Sequence, residues 1–571
     1  MILKVLTRPP RNFISEELTI TSWEVLLLYF EDLKNRSIET PEALKKWILD
    51  RSELEAVLEE DMAWRYIKMN IDTTDEQLQK DFHFFVQEIE PKIAPFSNEF
   101  DKKLLSSKVI SSLDEKEYHT YLRGIQNRIK LFREENIELL SKLQTESQEY
   151  GTIAAKMSVE HEGKQLTMQQ AAIFLQNTDR NIRELVYKKL AAKRIENVTA
   201  LDELFDRLKV DRQKVAENAG FENFRDYKMK AMGRFDYTVA DCENFQNAIA
   251  EHIVPIVKEF NTQRKSVLKL QELRPWDLDV DTTGKPALKP FKNSTDLVDK
   301  TITCFNKINP EFGNYIAIMN KMGHLDLESK TGKAPGGFNY PLYEIGVPFI
   351  YMNAVGTHRD MVTMVHEGGH AIHSFLSRDL ELCEFKSTPS EVAELASMSM
   401  ELISMEHWDV FFDDAEELKR AKKKQLETVI SLLPWIATVD EFQHWLYVNT
   451  KHNKDERTKQ WNTILDKYST NEVAWDGFEE NRSHSWKNQL HIFEVPFYYI
   501  EYGMAQLGAI AMWRNYKQDP QRTIKQYEAA LKLGYTKTIG EIYQTAGIQF
   551  DFSPQYVKEL AAFVKQELEA L

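Results

Sequence analysis

Residues 360–376 read DMVTMVHEGGHAIHSFL, and the pattern His-Glu-x-x-His occupies positions 366 to 370. On an α-helix, side chains four residues apart lie one turn apart on the same face. His366 and His370 can therefore bind one metal ion, with Glu367 directed toward its open coordination position. The apolar flanks favour a buried helix. This stretch predicts a zinc site, in which the ion lowers the pKa of a bound water and a glutamate accepts its proton.

A catalytic zinc site needs a third protein ligand, and two common positions for it are excluded. The pattern H-E-x-x-H-x-x-G-x-x-H would require Gly and His where this chain has His373 and Leu376. A glutamate separated from the second histidine by 18 or 19 residues would fall on Pro389 or Ser390. The third ligand must therefore come from elsewhere.

The next acidic segment, residues 388–403, predicts a helix that supplies this ligand. Thr388 at the N-cap and Glu391 three residues later predict a capping box, which gives Glu391 a structural role. Glu394 lies one turn further on and is the better ligand candidate. Glu401 could orient a ligand histidine through the free N–H of its ring. A solvated helix face is the other interpretation of Glu401.

These residues resemble a known family. The pattern H-E-x-G-H-A-x-H followed by E-x-x-S-x-x-x-E is that of the thimet oligopeptidase and oligoendopeptidase F zinc metallopeptidases, and this chain has it at 366–373 and 394–401. Residues 356–363 resemble the family's G-T-x-x-D-x-x-T segment before the zinc motif. The Pro-Trp-Asp at 275–277 resembles a segment of the oligoendopeptidase F-like branch. The resemblance implies one Zn²⁺ per chain and a general base. The ligands would be His366, His370 and Glu394, and the base would be Glu367.

A second segment, residues 491–505, is rich in His and Tyr and resembles the family's H-x-F-x-x-P-F-Y-x-x-x-Y. Peptide hydrolysis passes through an oxyanion, which a neutral Tyr or His donor can stabilise. The resemblance implies that His491 faces the zinc. Tyr499 and Tyr502 are the favoured oxyanion donors, followed by Tyr498. The alternative for each tyrosine is packing in the core.

Upstream of the zinc motif, residues 347–353 predict a short strand between Gly346 and Gly356. Pro348 cannot donate to a central ladder, so we expect an edge strand. An edge strand near the zinc can pair with the main chain of an extended peptide, which fits a peptidase of broad sequence tolerance. The candidate substrate-binding residues are Gly336, Gly337, Phe349 and Tyr351.

The chain has 571 residues, 42% hydrophobic and 28% charged, with a formal net charge of −16. This composition is that of a globular protein, and the acidic balance argues against nucleic acid as a partner and weakly favours cationic peptides. No apolar run reaches the length of a membrane span. Residues 1–11 contain no signal-peptide core, and the three cysteines have no disulfide or metal spacing. We therefore expect a cytoplasmic protein that contacts no membrane; the oligomeric state stays open.

Helical periodicity dominates the chain, in amphipathic segments at 114–148, 168–217, 239–273, 413–433, 455–468, 519–534 and 554–570. Strand material lies around 151–167 and 325–353, and candidate breaks lie near 91–98, 148–165 and 274–294. The resemblance implies a mainly α-helical ellipsoid with a deep substrate channel and a small β-sheet near the active site. By the same analogy, residues 1–200 would form one channel wall and residues 201–571 the catalytic domain.

The predicted function is that of a zinc-dependent metalloendopeptidase acting on internal bonds of short, unstructured oligopeptides. Two other classes stay open: a catalytically silent peptide-binding protein on the same fold, and a zinc exopeptidase with an anchor for a free terminus. The ligand set could also hold Co²⁺ or Mn²⁺.

Overall fold

The structure is a computed structural model that describes residues 5–330 and 332–571. The expectation that the N-terminus has no signal-peptide core falls partly on residues 1–4, which lie outside the described residues. The protein is mainly α-helical with two small sheets, as predicted from the sequence. All seven predicted amphipathic segments contain helices.

The N-terminal part of the chain contributes nine helices to the described residues. They are α1 (Glu24–Asn35), α2 (Pro41–Ile71), α3 (Glu76–Phe84), α4 (Glu90–Leu105), α5 (Glu115–Leu131), α6 (Glu135–Ser147), α7 (Glu149–Ala155), α8 (Met168–Ala172) and α9 (Arg180–Glu196). The longest, α2, begins where the Thr40 side chain accepts a hydrogen bond from the Ala43 amide and Pro41 occupies the first turn.

Residues 91–98 are continuous helix within α4, so the break expected there is wrong. Pro91 occupies the first turn of α4 and Pro95 lies inside it, after a π-helical turn at Phe85–Ile89. Proline is tolerated in a first turn, where its missing N–H leaves no bond unmade. Residues 91–98 are therefore helical throughout and do not form a domain boundary.

The middle of the chain forms six helices before the zinc motif. They are α10 (Val198–Asn218), α11 (Phe224–Ala231), α12 (Val239–His252), α13 (Val254–Val267), α14 (Ser294–Ile308) and α15 (Pro310–Met322). The predicted break at 274–294 is a stretch with little regular structure, in which only the turn Pro275–Asp277 is helical.

The last part of the chain forms eleven helices within the described ranges. They are α16 (His358–Ser377), α17 (Cys383–Lys386), α18 (Ser390–Ser404), α19 (Ala415–Val448), α20 (Lys454–Tyr468), α21 (Glu479–Ser483), α22 (Leu490–Glu494), α23 (Tyr499–Gln518), α24 (Pro520–Leu531), α25 (Ile539–Thr545) and α26 (Pro554–Ala570). Helices α16, α18 and α23 are buried along most of their length.

The two sheets lie where the sequence predicts strands. An antiparallel hairpin joins β1 (Ser158–His161) to β2 (Lys164–Thr167), and a second sheet has the order β3 (Leu325–Glu328), β5 (Phe349–Ala354), β4 (Phe338–Tyr340). Strand β5 is parallel to β3 and antiparallel to β4. The expected edge strand is therefore the central one. Pro348 immediately precedes β5 instead of interrupting its ladder.

The apolar side chains form one large core between residues 150 and 564 and a second one mostly between residues 14 and 125. A smaller cluster joins α2 to the three-stranded sheet, where Ala63 and Ile67 pack on Phe349 and Tyr351. This packing fixes the N-terminal helices against the sheet that precedes the zinc motif. Within the described part of the chain, no helix is both long and apolar enough to cross a membrane.

Candidate metal centre and active site

Helix α16 carries the His-Glu-x-x-His pattern. It begins with a capping box, in which Thr357 Oγ1 accepts a hydrogen bond from the Asp360 amide and Asp360 accepts one from the Thr357 amide. His366 and His370 are four positions apart, and their ring centroids are 4.9 Å apart. The start of the helix therefore fixes the register in which both imidazoles share one face.

Helix α18 brings Glu394 to the two histidines. Oε2 of Glu394 lies 3.4 Å from Nε2 of His366 and 3.7 Å from Nε2 of His370. The two helices approach closely at Gly369, where a Cβ atom would lie 2.6 Å from the Cα of Ser397 and 2.7 Å from the carbonyl oxygen of Ala396. Only a glycine at this position allows Glu394 to come so near.

Two of these three side chains, His366 and Glu394, are held by further groups. Nδ1 of His366 lies 2.7 Å from Oε1 of Glu401, whose other oxygen accepts a hydrogen bond from Gln425 at 2.8 Å. Glu394 accepts hydrogen bonds from Tyr498 at 2.8 Å and from Ser397 at 3.1 Å. Such partners orient a metal ligand and fix the tautomer of a ligand histidine.

Burial and the neighbouring charges set the protonation of the carboxylates. Burial raises the pKa of Glu367 to about 7, which suits a group that exchanges protons near neutral pH. Burial would also raise the pKa of Glu394, but His370 and His366 outweigh it and lower that pKa to about 2. Glu394 is therefore a carboxylate, the form that binds metal.

The donor set fits a zinc ion. Two imidazole Nε2 atoms and one carboxylate oxygen converge on one point, which matches the His₂Glu set of catalytic zinc sites. Burial lowers the pKa of His370 to about 4, so this ring is neutral and able to coordinate. The residues named from the sequence as ligands are thus brought together, with Glu401 behind His366.

His491 and the neighbouring tyrosines lie on the other side of Glu394. Nε2 of His491 is 3.4 Å from the Tyr502 hydroxyl, and its Nδ1 is 2.6 Å from Nε2 of Gln489. Tyr498 and Tyr502 contact each other with ring centroids 5.3 Å apart. Tyr499 is buried, and its ring contacts those of His491 and Tyr502. The hydroxyls of Tyr498 and Tyr502 lie beside Glu394 and His491, so the geometry favours these two over Tyr499.

The backbone just before these tyrosines is strained and held by buried polar groups. Phe497 has φ of 69°, an uncommon conformation for a large side chain. Its amide donates to Gln443 at 2.7 Å, and its carbonyl oxygen accepts a hydrogen bond from Arg234, which also pairs with Glu501 at 2.8 Å. Strain that surrounding bonds maintain is typical of functional sites. Here the strained residue immediately precedes Tyr498, whose hydroxyl donates to Glu394.

The strand residues proposed for substrate binding lie in two environments. Gly336 and Gly337 are exposed in the loop before β4, whereas Phe349 and Tyr351 are buried on β5. The Tyr351 hydroxyl donates to main-chain oxygens of Asn70 and Ala334 at 2.9 and 2.6 Å. These bonds indicate that Tyr351 stabilises the fold and does not contact a substrate. The loop and β4 are nearer the metal ligands, because Asn339 on β4 donates to the carbonyl oxygen of Glu367 at 3.2 Å.

The capping role expected of Glu391 is wrong. Pro389 occupies the N-cap of α18, and the buried Glu391 carboxylate accepts a hydrogen bond from the Tyr237 hydroxyl at 2.6 Å. The pairing is between residues 154 positions apart in sequence, and no local pattern predicts it. Asn339, Gln425 and Arg234 likewise pair with residues distant in sequence, so no local pattern identifies them. Gln489 lies only two positions from its partner His491, but no motif marks it.

The chain belongs to peptidase family M3. The family model described as Peptidase family M3 matches residues 173–562, and the model described as Peptidase M3 N-terminal domain matches residues 13–132. The three-dimensional structure agrees, since it is similar to that of PZ peptidase A with inhibitor 2, with a TM-score of 0.92, 26% identity, and coverage of 98% of this chain and 99% of that one.

Curated relatives belong to the oligoendopeptidase F group. The chain is 25% identical over 381 residues to an oligoendopeptidase F homolog of Borreliella burgdorferi, covering 65% of this chain and 62% of that protein. It is 20% identical over 422 residues to oligopeptidase PepF of Bacillus subtilis, covering 72% of this chain and 60% of that protein. The matched part is thus about three fifths of the length of each relative.

Proposed function

We propose that this chain is a zinc-dependent endopeptidase that hydrolyses internal bonds of short oligopeptides. The observation that carries the proposal is the convergence of His366, His370 and Glu394 beside the buried Glu367. Membership of family M3 and the likeness to an inhibitor-bound PZ peptidase A support it. One Zn²⁺ would be held by the three ligands, and it would lower the pKa of a bound water and polarise the scissile carbonyl.

The chain's own residues would move the proton and bind the developing charge. Glu367 would accept a proton from the attacking water and deliver it to the leaving amine. The Tyr502 hydroxyl, supported by His491, would donate a hydrogen bond to the oxyanion. The Tyr498 hydroxyl is already used by Glu394 and would orient that ligand. Burial raises the pKa of Tyr502, so this hydroxyl remains a neutral donor.

The substrate would lie between the two parts of the chain. We infer that residues 1–200 form one wall of a channel and residues 201–571 carry the site. Main-chain bonds support this arrangement, since Thr73 after α2 donates to the carbonyl oxygen of Gly332 at 2.7 Å and Ala334 donates to that of Asn70 at 2.9 Å. Strand β4 is a sheet edge and would pair with the main chain of an extended peptide. The cytoplasmic location stays a prediction from the sequence.

The experiment is mass-spectrometric analysis of a mixture of peptides of graded length, each blocked at both ends. We expect internal cuts in short peptides and none in folded proteins, because helical walls exclude them. The same mixture is treated with the Glu367→Gln variant and with chelator-treated protein before and after zinc is restored.

Three results would contradict parts of the proposal. Cleavage of free-ended peptides with none of blocked ones would indicate an exopeptidase. Metal-loaded protein that binds peptides and cuts none would indicate a silent binding protein. Cuts that survive in both the variant and the chelated protein would remove the zinc mechanism.

A further inference from the structure

We propose that Cys242, Asp440 and His444 form a second metal site, buried in the helical core and separate from the site on α16. The three residues come from two packed helices, α12 and α19. Their candidate ligand atoms all lie within 4.8 Å of one another. The proposal does not depend on the function proposed above.

The spacing of the three side chains suits a tetrahedral ion. Asp440 and His444 are four residues apart on α19, so both face α12, and Nε2 of His444 lies 3.4 Å from Oδ2 of Asp440. Metal–ligand distances of about 2.0–2.3 Å place the ligand atoms of a tetrahedral zinc site roughly 3–4 Å apart. Small side-chain movements would bring all three atoms to such distances.

The polar atoms of this cluster are buried without hydrogen-bond partners. Cys242 and Asp440 are both 0% exposed, and His444 is 7% exposed. Among the residues that the structure describes, both ring nitrogens of His444 and Oδ1 of Asp440 have no hydrogen-bond partner. An unpaired buried polar atom costs about 1–3 kcal/mol in general, so three in one place call for a ligand.

A cation would also balance the charges of the cluster. A buried carboxylate needs a positive partner, and Asp440 has only a hydrogen bond from Gln246 at 2.8 Å and the unbonded ring of His444. A divalent ion with one thiolate, one carboxylate and one neutral imidazole would give a cluster of zero net charge. Burial raises the pKa of the Cys242 thiol, so a bound cation is what would deprotonate it.

The chemistry of the ligands selects the ion. Thiolate, imidazole and carboxylate together are typical of Zn²⁺, and a water or the second Asp440 oxygen would complete four-fold coordination. Because the cluster is enclosed, its role is structural. His444 packs edge-on against the ring of Phe497 at 5.5 Å, and the adjacent Gln443 accepts the Phe497 amide hydrogen. The ion would fix α12 and α19 beneath the strained residue that precedes Tyr498.

The test uses Co²⁺ as a spectroscopic substitute. The full chain is produced in zinc-depleted medium supplied with Co²⁺, purified without oxygen, and examined for metal content and for the near-ultraviolet charge-transfer band of a thiolate–Co²⁺ bond. The ligands on α16 and α18 contain no sulfur, so this band reports only on cysteine. We expect the band and two Co²⁺ ions per chain.

Three variants separate the sites. Cys242→Ser should lose the band and one ion. The matched control is Cys304→Ser, another buried cysteine, which should keep both. The variant with both His366→Ala and His370→Ala should lose one ion and keep the band. Wild-type protein with no thiolate band would overturn the proposal and indicate a buried water instead. A band that persists in Cys242→Ser would overturn it by showing that another cysteine binds the cobalt.

Discussion

At the scale of single residues, the three tyrosines show what the sequence could and could not decide. Tyr498 and Tyr502 are four residues apart and share a face at the start of α23, whereas Tyr499 is rotated by about 100° from Tyr498. Helical spacing therefore favours Tyr498 and Tyr502, the two tyrosine positions of the pattern H-x-F-x-x-P-F-Y-x-x-x-Y, whereas the prediction from the sequence placed Tyr499 ahead of Tyr498. What spacing could not predict is that the Tyr498 hydroxyl bonds to Glu394, because that contact joins residues 104 positions apart.

Removing the hydroxyl of Tyr502 and removing that of Tyr498 should have different effects. Tyr502→Phe should lower kcat by about 10²- to 10³-fold with little change in zinc affinity, because only the oxyanion donor is lost. Tyr498→Phe should weaken zinc binding by about 10- to 100-fold, because Glu394 loses its orienting bond. Steady-state kinetics at saturating zinc and a zinc competition titration measure the two effects. Equal losses of zinc affinity in both variants would contradict this division.

Among the secondary-structure elements, the contact between α16 and α18 determines the geometry of the candidate zinc site. The sequence predicted both helices because their patterns are local, and the resemblance to the family's E-x-x-S-x-x-x-E pattern implied that Glu394 is the third ligand. In the structure, a Cβ at Gly368 would lie 2.6 Å from the Phe305 ring, and Gly369 meets the backbone of α18. The local sequence pattern contains no information about packing between distant segments.

Gly369→Ala should move α18 and with it Glu394. The added methyl meets backbone atoms, which cannot rotate away, so we expect a loss of about 1–3 kcal/mol in the free energy of unfolding and weaker zinc binding. The matched control is Gly540→Ala in α25, where no described heavy atom lies within 4 Å of the new Cβ. Urea unfolding measures the free-energy loss in each variant. A Gly540→Ala control that loses as much stability as Gly369→Ala would refute the explanation by backbone contact.

The small sheet shows the same limit. The sequence predicted strands at the correct places, but the order β3-β5-β4 depends on pairing between separate segments. The prediction of an edge strand used a valid rule, that proline cannot donate a hydrogen bond within a sheet. The rule does not apply to β5, because the strand begins at Phe349 and Pro348 lies outside it. The edge that we propose to face a substrate is therefore β4, where Asn339 donates a hydrogen bond to the carbonyl oxygen of Glu367.

In the molecule as a whole, the helices and the zinc motif could be predicted because short local patterns indicate both. The residues that complete the candidate zinc site on α16 and the proposed second metal site could not be predicted in this way. Gln425 lies 24 residues from its partner Glu401, and Cys242 lies almost 200 residues from Asp440. Folding brings these residues together, and their sequence neighbourhoods carry no sign of it.

The net charge of −16 should influence which peptides bind. We expect KM for an end-blocked peptide rich in Lys and Arg to rise several-fold when ionic strength increases from about 0.01 to about 0.3 M, since salt screens long-range attraction. KM for a neutral peptide of equal length should change little. Equal responses of the two peptides would show that the acidic surface does not act on substrate binding.

We propose that Glu367 exchanges the proton at a zinc site built from His366, His370 and Glu394. The decisive experiment measures kcat/KM on one end-blocked peptide together with zinc content, for the wild type and Glu367→Gln in the same preparations. We expect equal zinc in both proteins and a loss of about 10²- to 10⁴-fold in kcat/KM for the variant. A fully zinc-loaded Glu367→Gln that retains wild-type turnover would contradict it.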